Sequence, residues 1–79
     1  MATRENFRIS FNGQEVIKHK WNSACREVER LIGEIAKQEN SSYSLVDSSS
    51  VKVGFHHVKG TRSWLGDNNR LVQFIIEKV

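Results

Sequence analysis

Alternating apolar and polar residues near the start of the chain predict a β-hairpin. Phe7, Ile9 and Phe11 are separated by single polar residues, as in a strand with one buried face. An Asn-Gly dipeptide follows, which is typical of tight hairpin turns. A second strand is predicted over residues 14–21.

The register of this hairpin decides which side chains are buried. With a two-residue turn, Ile17, His19 and Trp21 face away from Phe7, because a shift of one residue reverses every side chain. We expect a longer loop or a bulge, which would place all of them on one face. In the two-residue register Trp21 would be exposed and would become a candidate for binding.

A helix is predicted over residues 23–38, with Asn22 or Ser23 as its N-cap. Its apolar positions recur at helical spacing: Val28, Leu31, Ile32 and Ile35. The polar Asn-Ser-Ser segment that starts at Asn40 is expected to end it. The helix is amphipathic and should pack one face on a sheet.

The second half of the chain predicts three further strands. We expect a short strand over 43–46, a turn over 47–50, a strand over 51–58, a loop over 59–70 and a last strand over 71–79. The last strand carries apolar residues on both faces, which favours a central strand or a self-association surface.

These elements predict an α+β fold. The order is β-β-α-β-β-β, with a mainly antiparallel sheet of four to five strands and one amphipathic helix packed on one face. The 79 residues are expected to form one small domain, 1–79, of limited stability.

Composition predicts a cytoplasmic protein. The single cysteine, Cys25, excludes an internal disulfide and suits a reducing compartment. Residues 1–6 lead into a strand pattern without a secretory signal, and we expect the chain to be complete from its initiator methionine. It contains no apolar run of the length that a membrane helix needs.

The sequence offers little for catalysis or metal binding. Cys25 near the helix start and His19 upstream could form a nucleophile–base pair, but a structural cysteine is the favoured interpretation. His56 and His57 are adjacent on a strand and should point to opposite faces, so they cannot chelate one metal ion. We predict no enzyme activity, no catalytic or metal-binding residue and no cofactor.

The predicted loop at 59–70 is the first candidate binding surface. It contains Lys59, Arg62, Trp64 and Arg70, residue types that anchor protein interfaces or bind nucleic acid by stacking and phosphate neutralisation. Alternatively, Trp64 and Leu65 fold back to close the open end of the core.

The outer ridge of the helix is the second candidate. It is formed by Arg26, Arg30, Gly33 and Lys37. Arg26 and Arg30 repel each other at this spacing, and Gly33 costs the helix about 1 kcal/mol relative to alanine. Close approach of a partner would explain both choices. The alternative is a solvated face with Arg26–Glu29 and Arg30–Glu34 ion pairs.

These features favour a small non-catalytic binding protein, an inhibitor or adaptor that occludes a larger macromolecular machine. Anti-CRISPR and other anti-defence proteins of phages share this size and organisation, an analogy that rests on size alone. The expected partner is a protein or a protein–nucleic-acid complex, with no membrane and with a homodimer through the C-terminal strand as one arrangement.

Two alternatives stay open. The net charge of +3 combines basic ends with an acidic segment over residues 27–50, which permits a nucleic-acid-binding domain. The other alternative is a small-ligand-binding homodimer, since a pocket would form mainly between two copies.

Overall fold

A computed structural model describes residues 5–79 and shows one helix and five strands. They are β1 (Phe7–Phe11), β2 (Gln14–Lys18), α1 (Trp21–Glu39), β3 (Tyr43–Val53), β4 (His56–Gly66) and β5 (Leu71–Lys78). The strands form one antiparallel sheet in the spatial order β2-β1-β5-β4-β3. The predicted α+β fold is confirmed. Residues 1–4 of the N-terminal segment, for which no secretory signal is expected, lie outside the described residues.

The core lies between α1 and one face of the sheet. Buried side chains come from β1 and β5 (Phe7, Ile9, Phe11, Val72, Phe74, Ile76) and from α1 (Ala24, Val28, Leu31, Ile32). The alternation in both strands and the helical spacing in α1 therefore predicted the core. The opposite face of the sheet, called the outer face below, has no covering element among the described residues.

The first hairpin has the two-residue turn, so the expected longer loop was wrong. Phe11 pairs with Gln14, and the turn residues Asn12 and Gly13 have φ of 48° and 76°. Two positive φ values are typical of a type I′ turn, whose twist matches that of the flanking strands. As a result Ile17 lies on the outer face and is 50% exposed.

Trp21 begins the helix instead of ending a strand. The N-cap is Lys20, without a capping side chain, so the predicted caps Asn22 and Ser23 lie inside the helix. This placement turns Trp21 back towards the core, where it is half-buried and meets the Phe7 ring edge-on at 5.6 Å. At the other end, Asn40 adopts the left-handed conformation that closes a helix.

The serine-rich segment and the predicted basic loop are both strands. Residues 47–50 continue β3 after a bulge between Leu45 and Asp47, and residues 59–66 belong to β4. The break falls instead at Gly54 and Phe55, within the strand predicted over 51–58. Pairing of β4 with β3 and with β5 supplies hydrogen bonds that outweigh the weak strand preference of its glycine and serine residues.

β5 is the central strand of the sheet, one of the two arrangements expected for it. It pairs with β1 on one edge and with β4 on the other, so neither edge is open to a second copy. The two edges of the sheet belong to β2 and β3.

Candidate binding surface

The four residues of the predicted basic loop do not form one patch. Because successive strand residues alternate, Arg62 and Trp64 lie on the helix side of β4, whereas Lys59 lies on the outer face opposite Glu77. Arg70 lies beyond the turn at 67–69, just before β5.

Two of the three basic residues have partners within the fold. Arg70 pairs with Glu39 at the end of α1. The Arg62 guanidinium donates to the carbonyls of Ser49 (3.1 Å) and Thr61 (2.9 Å). Neither Arg62 nor Lys59 forms an ion pair among the described residues, although Lys59 lies opposite Glu77 in the register, so only Arg70 of this set is neutralised by a carboxylate.

Trp64 packs against the core, as the alternative for this residue predicted. Its neighbour Leu65 does not join it, because it lies on the outer face and is 41% exposed. The indole N–H of Trp64 is buried and has no hydrogen-bond partner among residues 5–79. Trp64 is therefore partly buried and contributes to the packing of the fold.

The helix ridge is exposed as predicted, but its central charge is neutralised. Arg30 donates to both oxygens of Glu27, at 2.8 and 2.6 Å, and to Glu34 at 2.7 Å. Glu27 is almost fully buried, and the hydrogen bond from Arg30 lowers its pKa against the opposing effect of burial. Arg26 and Lys37 are exposed and have no ion pair in the described chain. Of the two ion pairs expected for a solvated face, Arg30–Glu34 is present and Arg26–Glu29 is absent from the described residues.

The histidines separate as expected from their positions on a strand. The His56 ring nitrogen Nδ1 lies 3.1 Å from a Glu5 oxygen, and His57 stacks on Trp21. His19 shares a hydrogen bond of 2.7 Å with Asn6, while the Cys25 thiol contacts Arg62 at 3.7 Å. His19 and Cys25 therefore each have a different partner. Among residues 5–79, no three His, Cys, Asp or Glu side chains are grouped to hold a metal ion.

The largest exposed apolar side chain lies where no site was predicted. We define the hairpin tip as residues 51–58, the end of the β3–β4 hairpin beyond the last pairing with β5. Phe55, which lies in the turn of this hairpin, is 97% exposed, and Val53 and Val51 are 67% and 55% exposed. Exposed apolar residues that occur together, with basic residues around them, mark interaction sites more often than single ones do.

The hairpin tip is basic as well as apolar. Lys52 lies within it, and Lys59 and Arg62 follow on β4, with no carboxylate between residues 48 and 66. One acidic group, Glu5, reaches the tip at His56. The surface therefore combines an apolar turn with unbalanced positive charge.

Trp21 holds the base of the hairpin tip against the helix. Its ring stacks on His57 with centroids 4.2 Å apart and planes 2° apart. The Arg62 guanidinium carbon lies 6.0 Å from the Trp21 ring, and Gly60 leaves room for the indole. These contacts fix the direction of the hairpin, and a surface held in place loses less entropy on binding.

Sequence reasoning missed this surface because it treated residues 51–58 as one strand. The signal was Gly54, since an isolated glycine in an alternating segment also marks a turn. Gly54 has a φ of 62°, which suits the first central residue of a type II′ hairpin turn. A turn at that point places the next residue, Phe55, at the end of a projecting hairpin.

The stack on Trp21 predicts a pH dependence of stability. Burial lowers the pKa of His57 below its ordinary value of 6.5, and Lys52 and Arg62 lower it further, against a smaller opposing effect of Glu5. The unfolded chain then binds the proton more readily, so stability decreases as the pH falls through 6.5. We expect His57→Phe, which keeps a flat ring, to lose less stability than the wild type when the pH is lowered from above 6.5 to below it. Urea unfolding at both pH values measures the loss. Equal losses would contradict the prediction.

No helix in the described part of the chain is long and apolar enough to cross a membrane. Comparison of the chain with protein families, with curated proteins and with solved structures gave no significant match.

Proposed function

We propose that this chain is a small non-catalytic protein that binds a larger protein, or a protein–nucleic-acid complex, through the hairpin tip and inhibits or recruits it. The observation that carries the proposal is the 97% exposure of Phe55. Full burial of a phenylalanine contributes about 1.5–3 kcal/mol of free energy. Phe55 contributes almost none of this to folding, so nearly all of it is available for binding to a partner.

Its surroundings support an anchor. Aromatic residues, phenylalanine among them, are enriched at protein interfaces relative to the rest of the surface. Phe55 is flanked by the exposed Val51 and Val53, and Trp21 holds the hairpin behind it. A partner pocket that receives Phe55 would therefore meet an apolar surface with a basic rim.

The same distribution of charge argues against nucleic acid as the main partner. Phosphate binding needs several free Lys or Arg side chains on one surface. Arg30 and Arg70 are paired with carboxylates, and Arg62 donates to backbone carbonyls. Lys59 lies on the outer face, Lys52 on the helix side of the hairpin, and Arg26 and Lys37 on α1, so these cations without ion pairs do not share one surface.

The test is capture of a partner from the native host with three immobilised proteins, which are the wild type, Phe55→Ser and Ile17→Ser. Phe55→Ser is expected to weaken recovery of a partner by about tenfold to a hundredfold, because it removes the burial of one aromatic side chain. Ile17→Ser is the matched control, since Ile17 is also exposed but belongs to the opposite edge strand, β2. It should recover the partner as the wild type does.

Two outcomes would contradict the proposal. One is equal recovery of the same protein by the wild type and by Phe55→Ser. The other is binding of mixed RNA or DNA oligonucleotides that weakens steeply with salt and is lost when Lys59 is replaced by alanine, which would favour the nucleic-acid alternative.

A further inference from the structure

β3 is an unusually open edge of the sheet. It is eleven residues long and pairs only with β4, and every residue from Ser44 to Val53 is exposed. At about 3.3 Å per residue, it presents roughly 36 Å of backbone whose outward N–H and C=O groups are open to another strand. The chain contains no proline, the residue that would remove such a donor.

The usual protections of an edge strand are weak here. Edges are blunted by short strands, bulges or charged side chains. β3 has one inserted residue of its own, Val46. A second register shift falls between Val51 and Lys52, where the inserted residue belongs to β4, so β3 itself is continuous from Asp47 to Val53. The other edge strand, β2, has only five residues, and its charged residues Glu15 and Lys18 lie within 4.0 Å of oppositely charged groups. Of the two edges, β3 is the better template.

The two sides of this edge differ in chemistry. On the helix side, Lys52 belongs to β3 itself, and Arg62 lies one strand further in, on β4 opposite Ser48, so a neighbouring strand would meet Lys52 directly and Arg62 only across β3. On the outer face, Val51 and Val53 alternate with these residues and are exposed. An added strand with acidic residues on one side and apolar residues on the other would complement both.

We propose that β3 accepts an extended, acidic segment of a partner protein as a sixth strand, with its acidic residues beside Lys52, on the side where Arg62 of β4 also lies, and its apolar residues beside Val51 and Val53. This inference rests on the proposed protein-binding function and specifies the partner's chemistry. Backbone hydrogen bonds along the edge supply affinity in this mode of recognition, and the alternating side chains supply specificity.

The probe is a capped peptide of alternating valine and glutamate, about eight residues long to match the uninterrupted part of β3. Amide hydrogen exchange of the whole protein is measured with and without millimolar peptide. We expect exchange to slow by about tenfold or more within residues 47–53, and not in β2. No protection of β3, or protection of β2 instead, would overturn the proposal.

Two control peptides test pattern and charge. A peptide with the same composition but with its valines and glutamates in separate blocks should protect β3 less, because it cannot present one residue type to each side. A valine–lysine peptide should also be weaker, since it repels Lys52 and Arg62. Equal protection by all three peptides would mean that charge and alternation play no part.

A charge reversal at Lys52 sharpens the test. Lys52 is exposed, so Lys52→Glu should fold normally. It is expected to reverse the preference from the glutamate peptide towards the lysine peptide. An unchanged preference would contradict the placement of the acidic residues.

The remaining controls separate this inference from the proposed function. Phe55→Ser should still show peptide protection of β3, because the peptide does not use the turn. Partner capture that depends on Phe55, combined with no peptide protection, would leave the proposed function in place and overturn only the added strand. Protection of β3 that rises with protein concentration without peptide would identify a second copy as the occupant and would also overturn it.

Discussion

Replacement of Phe74 by alanine is expected to destabilise the chain by about 3–5 kcal/mol, enough to unfold most of it. Phe74 is fully buried on the central strand β5, and its ring centroid lies 4.9 Å from that of Phe11. A chain of this length has little stability in reserve, because it buries a smaller share of its surface than larger domains do.

The matched control removes the same atoms from an exposed position. Phe55→Ala should change the free energy of unfolding by no more than about 0.5 kcal/mol, since its ring contributes almost nothing to the core. Urea unfolding followed by circular dichroism measures both variants. Similar destabilisation by the two replacements would mean that Phe55 packs within the fold.

The second large effect is expected at Gly60, where β4 passes the ring of Trp21. A Cβ atom there would overlap Cη2 of Trp21 and lie 3.1 Å from Cζ2 and 3.2 Å from the carbonyl oxygen of Ser49. The indole is held by its stack on His57, so it cannot withdraw freely. We expect Gly60→Ala to cost about 1–3 kcal/mol of stability, as overpacking does in cores.

Two further variants test the cause of this loss. Gly33→Ala makes the same substitution in α1, where the new Cβ meets no atom within 4 Å, and should raise stability by about 1 kcal/mol through helix preference. Trp21→Phe shortens the ring and should reduce the cost of Gly60→Ala in a double-mutant cycle. Additive effects of Trp21→Phe and Gly60→Ala would rule out the overlap as the cause.

The parts of the fold that could be predicted are those in which each strand or helix buries one face. β1, β5 and α1 each show apolar residues at their own period, and these three supply the buried core. Burial of a face imposes a pattern on the local sequence, so the pattern identifies the element.

The parts that failed depend on pairing between distant residues. The Ser48-Ser49-Ser50 segment has the composition of a turn, yet it lies in β3, where the Ser49 hydroxyl lies 2.6 Å from that of Thr61. The choice between two turns in the first hairpin likewise depended on whether Trp21 continued the strand or began the helix. Neither the partner strand nor the helix start can be read from a local pattern.

The first candidate site was predicted by residue type, and the strand pairing separates its residues for the same reason. Arg62 and Trp64 belong to residue types that are common in interfaces, but their position in β4 directs them to the helix side. Phe55 belongs to a type common in cores, but the turn at Gly54 exposes it. Whether each of these side chains is buried or exposed depends on its position in the sheet. That position follows only from the strand pairing.

The division of the chain into a buried core and an exposed hairpin has a consequence for sequence change. In the described structure, no residue from 44 to 59 is buried, so most substitutions there should leave folding intact. Recognition could therefore be altered by mutation within this one segment while the helix and the central strands stay constant. Randomising the exposed positions 51–53, 55 and 56, with Gly54 kept for the turn and His57 for its stack on Trp21, would therefore give a library in which binding varies and the fold does not.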